Sequence, residues 1–148
     1  MGSGYQGKGW LMAKDDAKHK KAKQKNGMTL RWLDDVVAHD FDSALAYLSL
    51  KFDEKQAADA VDRLRKAEVT RRRANDILRA CSLTAAPLVD EGVMRDLVKA
   101  VKGKRLSPVL VVSTGDGSDI ADGYHRVSLA YHLDPFGDVP LRIGAAPA

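Results

Sequence analysis

Asp122, Gly123, Tyr124, His125 and Arg126 follow one another without interruption. Together they offer a carboxylate, a conformationally free backbone position, an imidazole and a guanidinium. Arg126 is a planar fork that suits phosphate oxygens, and His125 can take or give a proton near neutral pH. Gly123 allows a sharp turn and a close approach of the backbone to a ligand. Asp122 can hold a metal or a hydroxyl, or orient His125. Asp122 and His125 are therefore the candidate catalytic residues. Gly123, Tyr124, His125 and Arg126 are the candidate nucleotide- and phosphate-binding residues. On the ordinary alternative, Asp122 is a helix cap and Arg126 a solvated or paired side chain.

The elements around the pentapeptide favour the chemical reading. Pro108-Val109-Leu110-Val111-Val112 is a near-continuous apolar, β-branched run, which predicts a strand buried on both faces. Thr114 to Ser118 predicts a turn, Asp119 to Asp122 a brief returning strand, and His125 to Leu133 a helix. The pentapeptide thus falls where a strand hands over to a helix. Such a junction concentrates free backbone N–H groups and the positive end of the helix dipole. Asp134 to Asp138 reads as a loop and Val139 to Ile143 as a last strand.

Upstream, Glu68 to Arg71 predicts a strand and Asn75 to Ala80 a short helix. Asp90 then caps an amphipathic helix with Val93, Leu97, Val98 and Val101 inward, ended by Gly103. This alternation of strands and helices predicts an α/β (α+β) mixed-sheet domain over residues 67–148.

Residues 27–66 predict three short helices packed on that domain. Thr29 would cap the first, with Leu30, Leu33, Val36 and Val37 on one face. Asp40 or Asp42 would start the second, carrying Leu45, Leu48 and Phe52. Asp53 and Gln56 form a capping box for the third, with Ala57, Val61 and Leu64.

Residues 1–26 predict a flexible basic tail, in which Met12-Ala13-Lys14 would serve as an alternative start. Seven lysines face two aspartates there, leaving 17 basic and 18 acidic residues in the rest, so the net charge of +4 belongs to the tail. Lys18, Lys20, Lys21, Lys23 and Lys25 could touch nucleic acid through phosphates, and Arg71, Arg72 and Arg73 could join them. A solubilising tail and a solvated strand edge are the ordinary readings. The single Cys81 fits a reducing cytosol and a core position, and no Cys/His cluster suggests a zinc site. No apolar run approaches a membrane span. A soluble, cytoplasmic protein is expected.

Ser107-Pro108-Val109-Leu110-Val111-Val112, then Ile120-Ala121-Asp122-Gly123-Tyr124-His125-Arg126 with Ala130-Tyr131, then Val139-Pro140-Leu141-Arg142-Ile143, resemble the ParB/sulfiredoxin superfamily. The resemblance covers residues 67–143, including the helix from Val93 to Val101 and Gly103. In the branch resembling free-serine kinases the motif reads Asp-Gly-His-x-Arg, close to the one here. The resemblance implies a small α/β domain that binds nucleotide phosphates at the N-terminus of the helix after the glycine. It implies ATP, ADP or CTP as the ligand, with Mg2+ where a phosphoryl group is transferred. Tyr124 stands where sulfiredoxins carry their catalytic Cys, so sulfiredoxin chemistry is not expected. The boxes with which chromosome-partition ParB proteins close on CTP are missing, so a CTP-gated DNA clamp is not expected either.

Two functions remain in view. One is a nucleotide-dependent phosphotransferase acting on a small hydroxyl compound, with Arg126 on the phosphates and His125 or Asp122 accepting a proton. The other is a non-catalytic, nucleotide-responsive adaptor or DNA-associated regulator.

Overall fold

The structure, a computed structural model, describes residues 28–147. Among them are five helices and four strands: α1 (Ala38–Leu48), α2 (Glu54–Lys66), β1 (Val69–Arg73), α3 (Ala74–Ala80), α4 (Glu91–Val101), β2 (Val109–Thr114), β3 (Gly117–Asp122), α5 (Tyr124–Leu133) and β4 (Asp138–Ala145). The strands form one mixed sheet in the order β1-β4-β2-β3. β1 runs antiparallel to β4, β4 parallel to β2, and β2 antiparallel to β3. This is an α+β fold.

β2 explains the layering. Val109, Val111, Leu110 and Val112 are all buried, the first two in one core and the last two in another. A strand with both faces apolar must be covered twice, and each such side chain contributes about 1.5–3 kcal/mol when fully buried. α1 and α2 cover one face, supplying Phe41, Ala44, Leu48, Ala57, Val61 and Leu64. α3, α4 and α5 cover the other, supplying Ile77, Leu78, Val93, Val127 and Leu129.

The Asp53 capping box forms as its sequence predicts: Gln56 N–H donates to Asp53 Oδ1, and the Gln56 side chain accepts from the Asp53 N–H. Asp90 caps α4 by accepting from the N–H groups of Gly92 and Val93.

Three expectations are corrected. The helix from Thr29 does not form. The chain is extended at Trp32, which bridges Leu106 in parallel while the Leu106 N–H donates to the Arg31 carbonyl, and it bends at Asp34 and Asp35 before α1. Extension lets Leu30 reach the core of α3, α4 and α5, on the far side of the sheet from α1. Neither Asp40 nor Asp42 caps α1, which starts after Val37 without a side-chain cap. Finally, Val98 and Val101 point outward, at 46% and 69% exposure. The face of α4 that packs inward is Val93, Asp96, Leu97 and Ala100.

No helix among the described residues is long and apolar enough to cross a membrane. Lys18, Lys20, Lys21, Lys23 and Lys25 lie outside the described residues.

Candidate functional site

The junction between β3 and α5 owes its geometry to a register shift. Val111 pairs with Ile120 but Leu110 pairs with Asp122, so Ala121 is an extra residue in β3. Such a bulge re-aims the side chain beyond it. Asp122 is thereby brought level with Leu110, toward the layer that holds α1. Gly123 follows at φ +113, and its backbone begins α5 without a side-chain cap. A Cβ there would lie 3.0 Å from both Val109 methyls and 2.9 Å from Arg126 Nη2. Glycine is required at this position twice over, for conformation and for space.

Arg126 lies beneath the turn. Its Nη2 donates to Asp122 Oδ2 at 3.0 Å, Asp40 Oδ2 at 3.2 Å and the Pro108 carbonyl at 3.4 Å. The side chain is 15% exposed, and its Nε is buried with no hydrogen-bond partner among the described residues. Arg126 is therefore an internal charge that ties α5 to α1, to the end of β3 and to Pro108 just before β2. Asp40, read from sequence as a cap, is instead a buried member of this cluster. It sits in the first turn of α1, where its charge also faces the positive helix end.

His125 points the other way. Its ring rests on Gly92 of α4, where a Cβ would come within 2.6 Å, and Nε2 lies 3.4 Å from Asp90 Oδ1. The imidazole is half exposed. The expectation that Asp122 orients His125 is thus corrected: Asp122 is engaged by Arg126, and Asp90 is the carboxylate beside His125. Tyr124 donates its hydroxyl to the Thr84 carbonyl at 2.7 Å, and its ring packs against the core.

Asp96, one turn after Gly92 on α4, completes the surroundings at 9% exposure. Burial pushes its carboxyl above the ordinary value, against the pull of Arg126, Lys99, His125 and Arg95. Burial also raises Asp122, outweighing the charge and hydrogen bond of Arg126, and Asp40 adds to the rise. Asp40 and Asp122 both pair with the single Arg126 guanidinium, so this buried cluster holds one more carboxylate than cation. No group of three or more His, Cys, Asp or Glu among the described residues is arranged to hold a metal ion.

The other candidates are scattered. Strand alternation puts Arg72 on one face of the sheet and Arg71 and Arg73 on the other, so the triplet forms no single basic patch. Arg73 packs over the Phe136 ring. His132 Nε2 lies 2.6 Å from the Ala86 carbonyl, a structural contact. Ser128, fully buried, accepts from the Ala86 N–H at 2.9 Å. Cys81 is half-buried and its thiol is pushed by burial up to about 11, which disfavours the thiolate.

Comparison with protein-family models, with curated proteins and with solved structures finds no match for this chain.

Proposed function

We propose that this protein binds the phosphates of a nucleotide at the first turn of α5, and that the nucleotide arrives with its magnesium. The observation that carries this reading is the uncapped N-terminus of α5 on Gly123, set over a guanidinium fixed by Asp40 and Asp122. Free N–H groups at a helix start are natural donors to a phosphate. The acidic surroundings argue against a bare polyanion and for a magnesium complex. Mg2+ commonly keeps its waters and is held by one or two carboxylates plus the phosphates themselves, so it needs no protein cage.

In this reading the phosphates meet the backbone of Tyr124, His125 and Arg126, and Arg126 acts mainly by holding the turn. The resemblance to the ParB/sulfiredoxin superfamily supports the same placement. The half-exposed His125, backed by Asp90, is the group positioned to accept a proton from a small hydroxyl substrate. The reaction is then phosphoryl transfer, in which placement and charge do most of the catalysis.

The test is to incubate the protein with ATP, ADP or CTP and magnesium, with and without serine as hydroxyl acceptor. Saturable binding with acceptor-dependent turnover is the expected result. No binding of any of them at millimolar concentration removes the reading. A second function, a nucleotide-responsive adaptor without turnover, draws on the exposed apolar stripe Met94, Val98 and Val101 along α4. It predicts binding without turnover in the same assay.

A further inference from the structure

The far end of the sheet, away from Gly123, carries a cleft of about 270 Å³ on the face covered by α3. α3 is only seven residues long. It leaves Ser113, Ser118 and Ile143 partly exposed on the strands below. Val111 and Leu141 lie buried beneath them, and Ile77 forms a wall. The floor is thus apolar apart from one polar spot, where the Ser113 and Ser118 hydroxyls lie 3.2 Å apart.

Arg72 stands at the mouth. Its pairing with Val139 puts it on this face of the sheet. Nη1 donates to Thr70 Oγ1 at 2.9 Å and to the Arg71 carbonyl at 2.8 Å. These two bonds use the hydrogens of Nη1 and fix the guanidinium plane. The Nε and Nη2 edge remains, and that edge takes a carboxylate through two parallel hydrogen bonds. Asp76, the acid in the same lining, pairs with Arg79 at 3.7 Å instead.

We propose that this cleft is a second binding site, for a small apolar monocarboxylate whose acid group sits on Arg72 and whose body lies over Ile143. The volume is near the lower end for ligand pockets, which suits a molecule of about ten non-hydrogen atoms and not a nucleotide. The protonated Cys81 thiol meets such a ligand as an uncharged wall.

Phenylacetate, 2-phenylethanol and 2-phenylethylamine, titrated to about 10 mM into the isotope-labelled full chain, test the proposal, since ligands of this size bind in that range. Phenylacetate should shift the amides of Val111, Ser113, Ser118 and Ile143, and should bind roughly tenfold more tightly than the alcohol. The amine should not bind. Arg72→Gln, at an exposed strand position, should bring the acid down to the level of the alcohol. Ala80→Trp, at an exposed helix position lining the cleft, should abolish binding of both. Circular dichroism shows that each variant is folded. Equal binding of acid and alcohol overturns the proposal, as does an acid preference that survives Arg72→Gln. Shifts confined to Gly123–Arg126 would assign the acid to the α5 turn instead, and no shift at all would make the cleft a packing gap.

Discussion

Arg126 and Asp40 meet at 3.2 Å across a sequence separation of 86 residues, and the contact joins the two helical layers around the end of the sheet. Both side chains are largely buried, at 15% and 10% exposure. Removing one partner of a buried pair strands the other, at a cost of about 3–5 kcal/mol. Arg126→Ala should therefore lower the melting temperature by on the order of 10 °C. Lys should recover part of this, because it restores the charge but not the fork. In a double-mutant cycle with Asp40→Asn, measured by urea unfolding, the two losses should fall short of additive. Additive losses would show that the two residues do not act as a pair.

Gly123→Ala should cost about 1–3 kcal/mol, the scale of a non-glycine residue held in a disfavoured backbone region. The φ of +113 and the Val109 methyls at 3.0 Å act in the same direction. Chemical denaturation would measure the loss. A neutral substitution would mean that the turn relaxes, which the packing of Val109 opposes.

The parts of this fold that local rules govern were legible in the sequence. The Asp53–Gln56 box, the Asp90 cap and the doubly apolar β2 each need only a few adjacent residues, and each forms where its pattern lies. Leu30, Leu33, Val36 and Val37 also fit a helical spacing. Yet Met28-Thr29-Leu30-Arg31-Trp32 alternates apolar and polar, and the alternating burial follows that period. The shorter pattern won because Leu106 offers backbone partners to Arg31 and Leu33, which no local rule contains. The site divides in the same way. Gly123 at the head of a helix could be read locally, whereas Asp40 and Asp96 come to Arg126 only through packing of distant helices.

Ser82 ends α3 at φ 54, a left-handed position that glycine fills more easily. Its N–H donates to the Arg79 carbonyl, and the Leu83 N–H to the Leu78 carbonyl. Ser82→Gly keeps both bonds and relieves the strain, while adding freedom to the unfolded chain. A net gain of about 0.5–1 kcal/mol is expected, read as a higher urea midpoint with an unchanged slope. A loss would mean that the Ser82 hydroxyl contributes more than its backbone strain costs.

Asp96 supplies a pH signature. Burial raises its carboxyl above 3.8 in the folded protein, so the native state holds that proton more tightly than the unfolded chain. Its contribution to stability therefore improves as pH falls through the raised value toward 3.8, and is least favourable above that window. Asp96→Asn should raise the urea midpoint at neutral pH, with the gain shrinking as the pH approaches 3.8. Asp122 shifts in the same direction, but neutralising it would also weaken its hydrogen bond with Arg126, so Asp96 is the cleaner probe. A gain that stays constant with pH would assign the effect to packing.

His125 separates catalysis from binding. Its side chain is half exposed and meets α4 at Gly92 and at the cap residue Asp90, so His125→Gln should leave the fold within about 0.5 kcal/mol. The backbone N–H groups of the α5 turn are untouched, so magnesium–nucleotide affinity should change little. If His125 accepts the proton of the hydroxyl substrate, turnover should fall by about 10²–10⁴. Asp90→Asn keeps a good helix cap, since Asn serves that role as well as Asp. It removes the charge beside His125 Nε2, and should give a smaller drop in turnover with the fold intact. Calorimetric titration and a phosphoryl-transfer assay on the same samples divide the outcomes. Loss of turnover with retained binding assigns His125 to the chemistry. Turnover equal to that of the unmodified protein in a folded His125→Gln leaves the imidazole as a surface contact on α4, and the proton must then go elsewhere.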